Sequence, residues 1–420
     1  MSISNPLLGD GYFDETRVFY MSHEGFFMAR QPIYDRDMRL SGYELLYRSA
    51  NVASAGALDE NAEIMSLANI LVEVGLEKLV GKSCAFVNVP ARLLGSEALR
   101  LLPPGQVTLE ILEDTPWSDE VRDAIEHLKM FGYRLALDDY IFEAKHEPFL
   151  KQVDLVKIDI MGMSRAELCS RFPVIRRPDQ VYLAEKVETH EEFELCLNLG
   201  FDLFQGYFFA KPNTIKGNGI PANYSLLISL LARLQEPEIE LDELESLIAS
   251  NVALCHKVLR LVNSASVGLA RPVETIKQAI VFLGISRIRT LATLAIVTSM
   301  TGKPPELYAL AMVRARFCED VARSSGFDSP DKHFTAGLLS ILDALTDTPM
   351  NEVISELPLS AELAETLCGT SDRSPCARTL QSVLAFERGQ FDGQNVLDLN
   401  PNTYLEAVKW AKEQELSLAA

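Results

Sequence analysis

The chain has no long uninterrupted apolar run, no low-complexity tract, no surplus of positive charge and few cysteines or histidines, and each shortage excludes something. Among 420 residues there are 59 acidic and 39 basic side chains, a formal charge of −20. Such a balance opposes non-specific association with nucleic acid or an anionic membrane, so any phosphate ligand needs a metal ion or a local basic patch. The seven cysteines are scattered, odd in number and without C-x-x-C pairs or a metal-ligand spacing with histidine. They read as reduced, mostly buried thiols of a cytoplasmic protein. The longest apolar stretch, Ala279 to Met300, is interrupted by Arg287 and Arg289, so no membrane span is expected. Residues 1–25 mix acids with isolated aromatics, unlike a signal peptide, and read as an N-terminal tail.

What is present falls into two rhythms, an α/β half and an all-α half. From Phe26 to Pro212, short β-branched or aromatic runs alternate with stretches of helical period, the pattern of parallel strands joined by helices. Strands are expected at Phe27 to Ile33, Leu40 to Leu46, Cys84 to Val89, Val107 to Leu112, Arg134 to Asp138, Leu155 to Ile158, Tyr182 to Glu185 and Leu203 to Tyr207. Helices are expected at Glu60 to Leu79, Asp119 to Phe131 and Glu191 to Leu199. The series predicts a closed, TIM-like β/α barrel. Residues 213–222 are rich in Gly, Asn and Pro and form a linker. From 223 to 420 apolar residues such as Leu244, Leu247, Ile248, Val258 and Leu261 recur at helical spacing, which predicts an all-α domain.

The ends of the expected strands carry most of the acidity. In a β/α barrel the C-terminal strand ends face the mouth where substrate binds. There lie Glu44, Asn88, Glu110, Glu113, Asp138, Asp139, Lys157, Asp159, Glu185 and Glu188, with Gln205 in the last strand. A lone carboxylate in an apolar strand is usually a helix cap or a satisfied core acid. Recurrence at successive strand ends is different, because converging carboxylates raise each other's pKa unless a cation neutralises them. Oxygen donors of this kind favour Mg²⁺ or Mn²⁺, which suits phosphoryl chemistry. Lys157 is placed to orient a water or neutralise developing charge. Arg48, four residues beyond Glu44, is either a phosphate clamp on the same strand face or a surface ion pair.

The barrel half resembles the EAL family of cyclic di-GMP phosphodiesterases. The signature tripeptide appears as Glu44-Leu45-Leu46, preceded by Gln31-Pro32-Ile33, and followed by Asn88, Glu110 to Glu113, Asp138-Asp139, Lys157 to Asp159, Glu185 to Glu188 and Gln205 to Pro212. The resemblance implies metal ligation by Glu44, Asn88, Glu110 and Asp138, a second-metal role for Asp139, and a catalytic role for Lys157 in positioning water or phosphate. It places Glu185 and Glu188 in supporting catalytic roles, Glu113 beside the site, and Gln31, Arg48 and Gln205 on the substrate. Leu45 stands where the family has Ala, a bulkier residue that is either absorbed or crowds the mouth. The loop Tyr140 to Pro148 contains no glycine, where active members carry a glycine-rich sequence.

The second half resembles an HDOD domain, in Lys257 to Ala265 and Ile276 to Gly284. Ser340 and Ile341 stand where related phosphohydrolases carry a His-Asp metal pair, so catalysis is expected from the barrel alone. His256 and His333 read as helix-surface or satisfied core residues. Arg287 and Arg289 read as solvated helix ends, with contact to a partner or a phosphate as the sharper alternative. Together the two resemblances imply cyclic di-GMP signalling of the kind tied to biofilm and motility. The expected reaction is metal-dependent hydrolysis to the linear dinucleotide, with the helical half regulating it or meeting a protein partner; a homodimer is left open. The alternative is an inactive adaptor that binds cyclic di-GMP or a protein.

Overall fold

The computed structural model describes residues 26–49, 76–210, 222–236, 239–264, 267–269, 271–300, 302–390, 397, 399 and 401–419. The expected tail, nearly all of the helix Glu60 to Leu79, the linker up to residue 221 and the side chain of Arg48 lie outside them.

Eight strands close into a barrel in sequence order. They are β1 (Phe26–Asp35), β2 (Leu40–Ser49), β3 (Cys84–Val89), β4 (Val107–Ile111), β5 (Arg134–Leu137), β6 (Leu155–Asp159), β7 (Val181–Glu185) and β8 (Leu203–Gln205). Around them lie α1 (Leu76–Val80), α2 (Asp119–Met130), α3 (Glu147–Leu150), α4 (Arg165–Ile175) and α5 (His190–Leu199). The expectation of parallel strands throughout needs one correction: β1 runs antiparallel to both β2 and β8. Only residues 36–39 separate β1 from β2, too few for a crossover. The Asp35 carboxylate instead accepts the N–H groups of Asp37 and Arg39 and closes a hairpin. The last strand also ends earlier than expected, because Tyr207–Ala210 turns into a 3-10 helix.

Strand alternation explains how the interior divides into two layers. Ile33, Phe86, Ala136, Leu155 and Leu183 meet inside the barrel as an apolar plug. Two residues further along the parallel strands, on the same face, stand Asn88, Asp138, Lys157 and Glu185. The barrel is therefore stoppered at one level and polar at the next. The intervening residues, Leu45, Val87, Leu109, Val156 and Ala184, face outward into the main core. Leu45 is thus absorbed beneath the surrounding elements, and leaves the mouth uncrowded.

The helical region comprises α6 (Ala222–Leu234), α7 (Leu241–Ala249), α8 (Val252–Val262), α9 (Ile276–Val297), α10 (Pro305–Ser324), α11 (Pro330–Leu339), α12 (Leu342–Thr346), α13 (Met350–Ser355), α14 (Ala361–Cys368), α15 (Pro375–Glu387) and α16 (Pro401–Ala419). By length and composition α9 could cross a membrane, contrary to the reading of its arginines as disqualifying; yet 56% of its most apolar window is buried inside this domain, and Gly284 breaks its backbone at φ 81°. Gly337 lets α11 lie against α10 at a distance where a Cβ would sit 2.7 Å from Ala315 Cα. Helices α15 and α16 pack on β1 and carry the helical region onto the barrel. All seven cysteines are free, but only Cys196, Cys318 and Cys376 are buried, fewer than expected.

Candidate active site

At the centre of the polar layer is Lys157, wholly buried. Its ammonium lies 2.7 Å from Glu110 Oε1, 2.7 Å from Asp138 Oδ1, 2.9 Å from Glu185 Oε1 and 3.5 Å from Glu44 Oε2. These acids come from β2, β4, the residue after β5, and β7, so each owes its place to the barrel's register. Asn88 donates to Glu44 Oε1 at 3.2 Å. Gln205 Nε2 donates to Glu44 Oε2 at 2.5 Å and to Gln31 Oε1 at 3.0 Å. Gly206 makes the last contact achievable: at φ 149° its backbone passes Val187 so closely that a Cβ would fall 2.1 Å from the Val187 carbonyl oxygen.

One ammonium cannot neutralise four carboxylates. Burial pushes Glu110 and Glu185 well above the usual carboxylate range; Lys157 opposes this, and the neighbouring acids add to it. Burial alone would push Lys157 down, but Glu110, Glu185, Glu44 and Asp138 together hold it well above its ordinary value. Among the described residues, the buried oxygens Glu110 Oε2, Glu185 Oε2 and Gln205 Oε1 have no hydrogen-bond partner. Unpartnered acid and amide oxygens at this depth are costly unless a cation reaches them. The donor set, oxygen-rich and over-charged, fits a hard divalent ion.

A second cluster adjoins the first. Ligand oxygens of Glu113, Asp138 and Asp139 lie within 4.8 Å of one another, so Asp138 belongs to both groups. Asp139 stands apart from the ring around Lys157. Its φ of 42° turns it out of line, and its carboxylate takes Lys186 Nζ at 2.9 Å, which also holds Asp159 at 2.6 Å. Half-burial would lower the Lys186 ammonium, yet these two carboxylates raise it. The glycine-free loop that follows also adopts the left-handed region, at Phe142 with φ 62°, a conformation that bulky residues rarely hold.

Above the clusters opens a cavity of about 600 Å³. Of the residues singled out in the sequence, Gln31, Glu44, Asp138, Asp139, Glu185, Glu188 and Gln205 line it; Asn88, Glu110 and Lys157 lie outside its lining. Glu188 is set by the start of α5, where Glu192 accepts the backbone N–H groups of Glu188 and Thr189 in a capping box. Strand β2 extends past Arg48, to Ser49.

Sequence reasoning missed Lys186, Tyr207, Arg388 and Gln390 in this lining. Lys186 and Tyr207 sit inside motifs already noted, so proximity alone was a signal. Nothing local marks Arg388 or Gln390.

In the helical region, Ser340 occupies no metal site. It accepts Arg314 Nη1 at 2.7 Å, while Arg314 Nη2 meets Glu387 Oε2 at 2.8 Å. His256 is exposed on α8; His333 is buried and stacks on Phe327 with centroids 5.7 Å apart. Arg287 lies within α9 and pairs with Glu319 at 3.0 Å, so it is no solvated helix end; Arg289 is partly buried, which lowers its pKa.

Comparison with known proteins matches residues 17–212 to the EAL domain and residues 220–358 to the HDOD domain. The chain is 32% identical over 401 residues to the cyclic di-GMP phosphodiesterase CdgJ of Vibrio cholerae, covering 92% of each. It is 32% identical over 402 residues to YuxH of Bacillus subtilis, an uncharacterized protein, covering 91% of this chain and 97% of that one. Among solved structures, Klebsiella pneumoniae BlrP1 in a calcium and cyclic di-GMP complex is 26% identical with a TM-score of 0.38, covering 44% of this chain and 55% of that one, little more than half its length. A standalone EAL protein of Vibrio cholerae in its cyclic di-GMP-bound form is 24% identical, also with a TM-score of 0.38, covering 44% and 91%.

Proposed function

We propose, from the premise that this chain belongs to the family of proteins joining an EAL domain to an HDOD domain, that its barrel is a divalent-metal-dependent phosphodiesterase opening cyclic di-GMP to linear pGpG. The observation that carries this reading is the over-charged ring around Lys157, with its buried, unpartnered oxygens. Glu44, Asn88, Glu110 and Asp138 would hold one ion, and Asp139 with Asp138 and Glu113 a second; Mg²⁺ or Mn²⁺ suits these oxygen donors. A divalent ion held there supplies Lewis acidity toward a phosphoryl oxygen and lowers the pKa of water.

The chain's own residues do the rest. Lys157 fixes one positive charge beneath the carboxylates and keeps them converged. Glu185, in the cavity wall and 2.9 Å from the Lys157 ammonium, would take up the proton released when water attacks phosphorus. Glu188 lies in the cavity wall beside it. Gln205 holds Glu44 in place through a 2.5 Å hydrogen bond and ties it to Gln31. Arg48 is assigned to a substrate phosphate.

The division into a barrel at 26–212, a linker at 213–222 and a helical domain at 223–420 follows the change of sequence rhythm. In this reading the helical domain regulates the barrel or meets a protein partner, and the protein works in the cytoplasm. The test is incubation of purified protein with cyclic di-GMP and Mg²⁺ or Mn²⁺, following the linear product by chromatography, with Glu44→Ala as the control. Product from the wild type alone is expected. No product with either metal would leave a binding adaptor, a reading that the left-handed Phe142 in the glycine-free loop would then favour.

A further inference from the structure

The cavity over the carboxylates has one wall that the barrel does not supply. Arg388 and Gln390, just beyond α15, line it together with Glu44 and Asp138. We propose that Arg388 is a substrate-binding residue, contributed by the helical domain, that holds the phosphodiester of the cyclic dinucleotide not being cleaved. This assignment rests on the phosphodiesterase reading of the same site.

Charge carries the argument. A cyclic dinucleotide has two phosphodiester anions, and only one can lie over the metal-binding carboxylates. With Arg48 assigned to the phosphodiester over those carboxylates, the other needs a cation from the cavity wall, where the charged residues from the barrel are five acids and Lys186. Lys157 is buried and committed to four carboxylates, and Lys186 is held by Asp139 and Asp159. Arg388 is exposed, and among the described residues no carboxylate pairs with it; its guanidinium lies 5.3 Å from the centroid of the Tyr207 ring. A guanidinium resting on an aromatic face retains its N–H edges for a planar, bidentate grip on a phosphate.

The position is also anchored rather than loose. Glu387 is fixed from behind by Arg314, and its carbonyl oxygen accepts Gln31 Nε2 at 3.3 Å. Gly389, at φ 72°, lies so near the barrel that a Cβ would meet Leu46 Cδ1 at 3.0 Å. Hydrogen bonds thus run from Glu387 through Gln31 and Gln205 to Glu44.

The experiment compares full-length wild type with Arg388→Ala and Arg388→Lys. Each is assayed with cyclic di-GMP and with bis(p-nitrophenyl) phosphate, which has a single phosphodiester, in Mn²⁺; cyclic di-GMP binding is measured separately by calorimetry in Ca²⁺. Arg388→Ala should raise KM and Kd for cyclic di-GMP roughly tenfold, the size expected for losing a hydrogen bond to a charged group. Its kcat should stay within about twofold, Arg388→Lys should recover part of the affinity, and hydrolysis of the single diester should not change. Unchanged KM and Kd, a parallel loss on both substrates, or faster turnover in Arg388→Ala would each overturn the assignment. An active wild type with an indifferent Arg388→Ala sinks the assignment alone. A wild type that binds but never cleaves, and binds more weakly as Arg388→Ala, sinks the phosphodiesterase reading and leaves the assignment standing.

Discussion

The buried charge cluster in the barrel around Lys157 and the one in the helical domain around Arg314 are balanced differently. Around Lys157 four carboxylates share one ammonium, and acid oxygens are left without partners. Around Arg314 a single guanidinium meets a single carboxylate, Glu387, through Nε and Nη2, and Ser340 takes a further N–H. The first cluster is incomplete without an outside cation; the second is closed. Burial is the same in both, so charge stoichiometry is what separates a site built for a ligand from a bracket that joins helices.

The largest effect expected is on turnover. Glu44→Ala removes a ring carboxylate and should lower kcat for cyclic di-GMP at least a thousandfold, about 4 kcal/mol of barrier, with little loss of folded protein by circular dichroism. The closed cluster should answer in stability instead. Arg314→Ala strands a buried Glu387 and should cost about 3–5 kcal/mol in urea unfolding; the double replacement Arg314→Met with Glu387→Met should recover most of it. Rescue of Arg314→Ala by added Mn²⁺ would show instead that the helical cluster, too, is open to a cation.

The metal itself should give the next effect. Mn²⁺ at a hundredfold excess over its Kd should stabilise the wild type by about 2.7 kcal/mol, reversibly with a chelator. Glu110→Gln and Asp138→Asn should lose that shift while Arg314→Met with Glu387→Met keeps it, as differential scanning calorimetry would show. The smallest effect is a pH dependence in the helical domain. Burial lifts Asp343 from 3.8 to about 6, so between those values the folded state holds a proton that the unfolded chain has released. Stability therefore falls as pH rises through that window. Asp343→Asn should be more stable than wild type by roughly 3 kcal/mol at pH 7, the advantage fading as pH drops toward 4.

Much of the barrel was legible because strand residues alternate with a period of two. Once the strands were placed, Asn88, Asp138, Lys157 and Glu185 had to share the interior face with the apolar plug two residues before them. The antiparallel β1 is also readable from the four residues before Leu40, which are too few for a crossover. Asp139 is harder to read: its left-handed backbone turns it toward Lys186 and away from the ring around Lys157, which its place next to Asp138 does not foretell. Glu113, placed only beside the site, proves to share the second cluster with Asp138.

By itself the sequence determined which side chains face inward along each strand, since that follows from local backbone geometry. It also determined where α4 and α5 begin, through the capping boxes at Ser164 and Thr189. Only the tertiary structure decided that Glu387 would meet Gln31 and that Arg388 would line the cavity over a barrel whose last strand ends at Gln205. No periodicity couples positions so far apart; their meeting depends on α15 and α16 packing against β1, a long-range burial with no local signature.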